Sequence, residues 1–359
     1  MAEETNGTSG GEAIYVGIDG GATTSKVAAV RGDESVVTLD LLQRPTGGDG
    51  GPPAVIRSWI GAVGEFLAEN GLDWKQVRGV GVAVPGPRRS YGVLDSSPNL
   101  PESFGGWDVG RDLGEALERE AGRPISLSLG NDGNLGGVAE AAQVRGRGAR
   151  ASMVMLAPGS GLGGAYIDAD GLPLDGDTLA GMEVGHMPAP LQLLGVEAFP
   201  CGCGRDWGCF EQYTSLAGLP KLLENALGRY PGHELEHSDK APKEKAMALR
   251  GLAQKGDALA LELFDFQAKA MGVLVADLAM AVDSKIFIIG GGLMDPGATT
   301  EEFRARYLGI LRDTALKYVW ATQREQLEVV PASLGELSQA IGAALVALYR
   351  ERGTADMGQ

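Results

Sequence analysis

Short apolar runs that stop at clusters of glycine, alternating with stretches of helical spacing, limit most tightly how this chain can fold. Residues 14–18 are apolar, Asp19-Gly20-Gly21-Ala22-Thr23-Thr24 follows, and residues 25–30 form a second apolar run. The pattern predicts strand, turn, strand. Residues 152–156 lead into Pro158-Gly159-Ser160-Gly161-Leu162-Gly163-Gly164 and then residues 165–168, so a second unit of the same kind is expected. Other apolar runs, at 77–84, 125–129 and 285–289, end at Pro85-Gly86-Pro87, Gly130-Asn131-Asp132 and Gly290-Gly291-Gly292. Helical spacing marks 55–67, 113–120, 133–144, most of 214–283, 303–316 and 337–352. Strands alternating with helices predict an α/β fold. The strand, glycine turn and strand that open each half are a loose echo of the kind a duplicated nucleotide clamp would show.

At 359 residues the chain is long enough for two domains of ~150 residues each. Its 56 glycines are about twice the usual share, which assigns them to tight turns and close backbone approaches. A net charge of −16 argues against non-specific binding to nucleic acid or to an anionic membrane surface. No uninterrupted apolar run reaches the ~18 residues of a membrane-spanning helix. The opening MAEETNGTSGGEA lacks the basic and apolar regions of a signal peptide, and residues 1–12 are expected to be a disordered tail. All three cysteines, Cys201, Cys203 and Cys209, fall within nine positions. That is a poor disulfide framework and a better metal site in a reducing compartment, so a cytoplasmic protein is expected.

Each glycine turn can present backbone N–H groups to an anion without a side-chain clash. In the first, a Thr hydroxyl can add a donor and Asp19 can hold a hydrated Mg2+; a plain glycine hairpin has the same local sequence. The second contains a literal G-x-G-x-x-G. A dinucleotide fingerprint needs a helix there, whereas the following AYIDADG reads as strand and turn. A Rossmann dehydrogenase is therefore disfavoured, and a second phosphate-binding hairpin fits better. Gly290-Gly291-Gly292 suits either the close approach of an adenine or a strand-to-helix turn. Asp132 follows a strand, and ligands of open α/β sheets lie beyond the carboxyl ends of strands. It reads either as a helix cap or as a base that orients a hydroxyl for in-line attack on a γ-phosphoryl group.

His186 with Cys201, Cys203 and Cys209 makes a Cys3His set suited to tetrahedral Zn2+. Four protein ligands leave no open position, so such a metal would be structural. Glu183 and Glu211 bracket the cluster and, pinned by the metal loop, could accept hydrogen bonds from vicinal sugar hydroxyls. His233 and His237 lie in a polar stretch and receive no role.

Together these pieces, across about residues 13–350, resemble the ROK family (repressor, open reading frame, kinase) of the sugar-kinase and actin-like ATPase superfamily. GIDGGATTSK resembles its first phosphate motif, D-x-G-x-T, and PGSGLGG its second. GVAVPGP and SSPNLPESFGGW resemble its sugar-side loops, and NDGN the stretch holding its catalytic aspartate. GMEVGH with CGCGRDWGCFE resembles the hallmark glutamate, zinc histidine and cysteine loop. IIGGGL resembles the adenosine motif and SQAIGAALVA the terminal helix. Four features depart from the family pattern. Five residues, not four, separate Cys203 from Cys209; fourteen separate His186 from Cys201, somewhat more than usual; no Gly stands just before Thr23; and the chain carries extra length around 220–260.

The resemblance implies an α/β, two-lobed actin-like ATPase (ribonuclease H-like) fold with a nucleotide and sugar cleft between the lobes. A small domain would span 13–133, completed by the helix at 337–352, and a larger one 134–336 with the zinc loop at 183–211. Asp132 would be the catalytic base, and Asn99, Asn131, Asp132, Glu183, His186 and Glu211 would contact the sugar. Asp19, Gly21, Thr23, Thr24, Gly159, Ser160, Gly161, Gly291 and Gly292 would line the nucleotide. His186, Cys201, Cys203 and Cys209 would hold zinc.

The implied activity is that of a glucokinase-like phosphotransferase in carbohydrate metabolism and glycolysis. It would transfer phosphate from ATP, with Mg2+, to the 6-hydroxyl of a hexose, glucose first. Kinases for N-acetylmannosamine, N-acetylglucosamine, fructose or allose share the frame, and a non-catalytic sugar sensor is a further reading. Repressors of the family carry an N-terminal winged helix-turn-helix; with about twelve residues before the first strand, none is expected here. Polyphosphate-dependent relatives tend to lack the cysteine loop. No nucleic-acid or membrane partner is expected, and the resemblance implies a homodimer.

Overall fold

The computed structural model describes residues 13–84, 88–95, 102–146 and 151–353, so Asn99 and the expected tail at 1–12 lie outside the described residues. The chain divides into two compact units. The first takes the chain up to Ala139, then Asp175–Gly181 and the chain from Glu336 onward; the second takes Glu140–Leu174 and Met182–Gly335. The first unit thus includes Asp175–Gly181, a segment that the sequence reading counts with the larger domain.

In the first unit the order is β1 (Ile14–Gly20), β2 (Thr24–Arg31), β3 (Leu42–Pro45), α1 (Pro52–Glu69) and β4 (Val77–Val84). A small hairpin, β5 (Arg88–Ser90) and β6 (Val93–Leu94), precedes α2 (Val109–Ala121), β7 (Ser126–Asn131), and α3 (Asp132–Gly146), which leads into the second unit. The main sheet has the order β3-β2-β1-β4-β7. β1 and β2 form an antiparallel hairpin with Asp19 opposite Lys26, while β1, β4 and β7 run parallel. α1 opens with two prolines, which suit its first turn. Its apolar stripe Val55, Trp59, Val63, Phe66 and Leu67 is buried in the core of this unit.

The terminal helix (Ser338–Glu351) packs on β1 and β4. Its approach needs glycines: a Cβ on Gly17 would collide with the Ala340 carbonyl oxygen, and one on Gly81 with that of Ala343. Gly81→Ala is therefore expected to destabilise the protein by about 3 kcal/mol in urea unfolding, because the helix must move off the sheet. Gly61→Ala, on the exposed face of α1 with nothing within 4 Å, should instead stabilise slightly. A neutral Gly81→Ala would contradict the close packing.

The second unit contains β8 (Met153–Pro158), β9 (Leu162–Ile167), the short helices α4 (Leu191–Leu194) and α5 (Glu211–Thr214), α6 (Leu219–Leu227), α7 (Pro242–Ala253), α8 (Ala258–Val282), β10 (Ile286–Ile289), α9 (Glu301–Tyr318), α10 (Ala321–Arg324) and β11 (Glu328–Pro331). Its sheet has the order β11-β10-β8-β9. β8 and β9 are an antiparallel hairpin, and β10 lies parallel to both β8 and β11. A glycine-turn hairpin joined to parallel strands thus occurs in both units. α8 is apolar nearly all round and is the core helix of this unit. Its N-terminus is capped by Asp257, which accepts from the Ala260 N–H at 2.8 Å. Buried Glu140 accepts from the backbone N–H groups of Ser333 and Leu334, both at 2.8 Å, so its charge is hydrogen-bonded. Among the described residues no helix is long and apolar enough to cross a membrane.

Candidate active site

The parallel strands of the first unit bring Asp19, on β1, and Asn131-Asp132, at the β7–α3 junction, to the carboxyl ends of the sheet. Ligands bind there in open α/β sheets. The two readings of Asp132 separate at this junction. Asn131 Oδ1 accepts from the N–H groups of Gly133 (2.9 Å) and Asn134 (3.4 Å), so Asn131 caps the helix. Asp132 Oδ1 accepts from the Gly133 N–H at 2.8 Å, and Oδ2 has no hydrogen-bond partner among the described residues. Burial raises the Asp132 pKa above that of a solvated aspartate, against the pull of the neighbouring N–H groups.

Asp19 is 9% exposed. Burial raises its pKa, Lys26 pulls it down, and the Asp132 charge adds to the rise. Lys26 Nζ lies 3.6 Å from Asp19 and 3.6 Å from Glu336, so one ammonium serves two carboxylates.

The turn between β1 and β2 is braced from below. The Trp59 indole N–H donates to Ser25 Oγ (2.8 Å), the Ser25 hydroxyl to Thr46 Oγ1 (2.7 Å), and the Thr46 hydroxyl to the Gly21 carbonyl (2.6 Å). This chain fixes the Gly21 carbonyl on the inner side of the turn, while Ala22 and Thr23 at its tip stay exposed. Sequence reasoning missed Ser25 on β2, Thr46 just after β3 and Trp59 on α1, which are far apart in sequence and carry no local motif.

In the second unit, the turn between β8 and β9 is closed by the Gly159 N–H donating to the Gly161 carbonyl at 2.8 Å. The Leu162 N–H donates to Glu211 Oε2 at 3.0 Å. The Ser160 and Gly161 N–H groups have no partner among the described residues and remain as donors for an anion. Gly291 has φ +76° and a Cβ there would collide with the Pro158 carbonyl oxygen, so only glycine brings this loop against the turn. Beside the turn lies an open pocket of about 170 Å3 whose walls include Gly159, Ser215, Met247, Arg250, Phe264 and Gly292.

His186, Cys201, Cys203 and Cys209 place their ligand atoms within 4.8 Å of one another. Cys201 Sγ is 3.7 Å from His186 Nδ1, and Cys203 Sγ is 3.8 Å from Cys209 Sγ. A tetrahedron with zinc–sulfur bonds of ~2.3 Å has edges of ~3.8 Å, so the donor set and its spacing fit Zn2+. The longer Cys203–Cys209 segment is accommodated by left-handed Gly204 (φ +85°) and Gly208 (φ +78°). The Trp207 indole N–H donates to Cys209 Sγ at 3.2 Å.

Comparison with known proteins settles the family. The ROK family model matches residues 15–350. The chain belongs to the ROK family. Within it, the chain is 28% identical over 289 residues to a glucokinase from Halalkalibacterium halodurans, covering 79% of this chain and 82% of that protein. It is 26% identical over 298 residues to an N-acetyl-D-glucosamine kinase from Vibrio cholerae, covering 82% and 89%. Among solved structures, the ROK hexokinase from Thermus thermophilus superposes with a TM-score of 0.70 at 25% identity, over 95% of this chain and 100% of that one. The fold is the two-lobed, actin-like ATPase fold of ROK sugar kinases.

For this ROK protein, the sequence-predicted site residues gather in three groups. Asp19, Gly21, Thr23 and Thr24 lie on one hairpin of the first unit, and Asn131 and Asp132 at the end of β7 in the same sheet. Gly159, Ser160 and Gly161 form the second turn, with Gly291 against it and Gly292 lining the adjoining pocket. Glu183, exposed, opens the short turn Val184–His186, and His186 presents Nδ1 to Cys201. Glu183 has no side-chain hydrogen bond among the described residues, but Leu179 (φ 58°) and Met182 (φ 64°) just before it hold unusual left-handed backbone. Glu211 sits with the second turn as well as with the cysteines: Oε2 takes the Leu162 N–H and Oε1 lies 3.8 Å from Cys201 Sγ.

Proposed function

We propose that this ROK protein is an ATP-dependent hexose kinase acting on the 6-hydroxyl of glucose, with Asp132 as general base. The observation that carries this reading is Asp132 itself: partly buried at a strand's carboxyl end, relieved of capping by Asn131, with one carboxylate oxygen uncommitted among the described residues. In the step it serves, the sugar hydroxyl gives its proton to Asp132 as the O6–P bond forms. The bond from γ-phosphorus to the bridging oxygen breaks, and ADP leaves with that electron pair.

Asn99, Asn131, Asp132, Glu183, His186 and Glu211 are proposed to hold the sugar. Asp19, buried on β1 at the carboxyl end of the sheet, would hold a hydrated Mg2+, which would neutralise charge on the transferring phosphates. Gly21, Thr23, Thr24, Gly159, Ser160, Gly161, Gly291 and Gly292 would take the phosphates and adenosine. His186 and the three cysteines would hold a structural Zn2+ that keeps His186 in place. We further propose a cytoplasmic homodimer without nucleic-acid or membrane partners. An N-acetylhexosamine is the second substrate reading, supported by the relative named an N-acetyl-D-glucosamine kinase.

The test is ADP release with Mg-ATP across hexoses and N-acetylhexosamines. Turnover on glucose above all others is expected. Turnover on an N-acetylhexosamine instead would move the substrate, and no turnover on any sugar would remove the kinase reading.

A further inference from the structure

Glu211 meets two features at once. Its Oε2 accepts from the Leu162 N–H at 3.0 Å, at one end of the turn between β8 and β9. The Leu216 N–H donates to the Gly159 carbonyl at 3.0 Å, at the other end. Glu211 to Leu216 therefore grips both ends of the turn whose Ser160 and Gly161 N–H groups stay uncommitted among the described residues. On its other side, Glu211 Oε1 lies 3.8 Å from Cys201 Sγ, and Glu211 follows Cys209 by two residues. A Cβ on Gly161 would meet Glu211 Oε2, so a side chain there would push the carboxylate off the Leu162 N–H. Backbone packing adds a parallel link, since a Cβ on Gly185 would strike the Leu162 carbonyl oxygen and one on Gly164 would lie 2.6 Å from Val184.

We propose that Glu211 is a positioning residue that ties the Cys3His cluster to the phosphate turn, so that metal occupancy sets nucleotide affinity even without sugar. The inference rests on reading this turn as nucleotide-binding and adds to Glu211 a role distinct from any sugar contact. A carboxylate accepting from a backbone N–H makes a strong, charge-assisted bond that fixes the direction of the peptide next to Gly161. The cysteine loop locates the base of Glu211 through Cys209 and its head beside Cys201. A loosened loop would release the Leu162 N–H and let the turn spread.

The test measures binding of Mg-AMPPNP by calorimetry with no sugar present. Wild type, Glu211→Ala and Glu211→Gln are compared as purified with zinc and after chelation, with folding followed by circular dichroism. Glu211→Ala should bind about ten-fold more weakly than wild type, because a hydrogen bond to a charged group is lost. It should also be insensitive to chelation. Wild type should weaken by about the same factor on chelation. Glu211→Gln keeps an acceptor oxygen for the Leu162 N–H and should restore most of the affinity and the metal response. Three results would overturn the proposal: unchanged binding in Glu211→Ala, a chelation response in Glu211→Ala as large as in wild type, or tighter binding in both variants. The last would mean that the carboxylate acts on the nucleotide only as a repelling charge. A wild-type protein that binds no Mg-AMPPNP would instead reject the nucleotide reading of the turn, and this proposal with it.

Discussion

Asp132→Asn is expected to lower kcat by about a thousand-fold while hexose binding survives, because general-base assistance is lost and the side-chain volume is kept. Asn131 still caps α3 in that variant, so the helix start stays intact. The pH profile should show the same group. Burial raises the Asp132 pKa, so the acid limb of kcat/KM should fall at a pH above that of an ordinary aspartate. The sign for stability is opposite. A folded-state pKa above the unfolded value means that the unfolded chain gives up this proton first as pH rises. Ionised Asp132 therefore costs the folded state stability at neutral pH. Asp132→Asn should raise the melting temperature at pH 7 while removing turnover. A variant that loses turnover together with hexose binding, or that melts lower, would contradict the role assigned to this carboxylate.

Removing the metal should have the next largest effect. Protein purified without added metal is expected to hold about one zinc per chain. Cys209 is fully buried, and its neighbours on either side join the cluster strand to Met187 and Ala189: the Phe210 N–H donates to the Met187 carbonyl, and the Ala189 N–H to the Gly208 carbonyl. Cys209→Ser should release the zinc, lower the melting temperature and abolish hexose binding, since His186 and the segment after Glu183 lose their anchor. Binding energy at structural zinc sites enters folding directly, at ~10 kcal/mol or more in small domains; a site backed by the large core of this unit should show a smaller share. Elemental analysis with a thermal melt checks both parts. A metal-free protein with full activity would reject the assignment.

Much of this arrangement is readable along the chain because its signals are local. The turns after β1 and β8, the strand ends at Asp132 and Gly290, and the clustered cysteines each announce themselves within about ten residues. What braces them is not local. Thr46 reaches Gly21 across 25 residues and Glu211 reaches Leu162 across 49. Glu140 holds Ser333 across 193. A lone Ser, Thr or Glu has no periodicity or motif to mark it, and only the folded backbone brings its partner near. The glycines under the terminal helix are hidden for a similar reason. Gly17 and Gly81 sit inside apolar strands, where sequence shows an absent side chain and not the helix that fills the space. Whether Asp132 caps the helix or serves as a base is open in sequence, because an aspartate at that position can do either; only the hydrogen bonds assign the capping to Asn131.

The most direct test of phosphoryl transfer to the 6-hydroxyl compares glucose with 6-deoxyglucose at saturating Mg-ATP. ADP release with glucose is predicted, together with none from 6-deoxyglucose, which should bind and inhibit competitively. Equal ADP release from both sugars would contradict the account, since the 6-hydroxyl could not then be the group that Asp132 deprotonates.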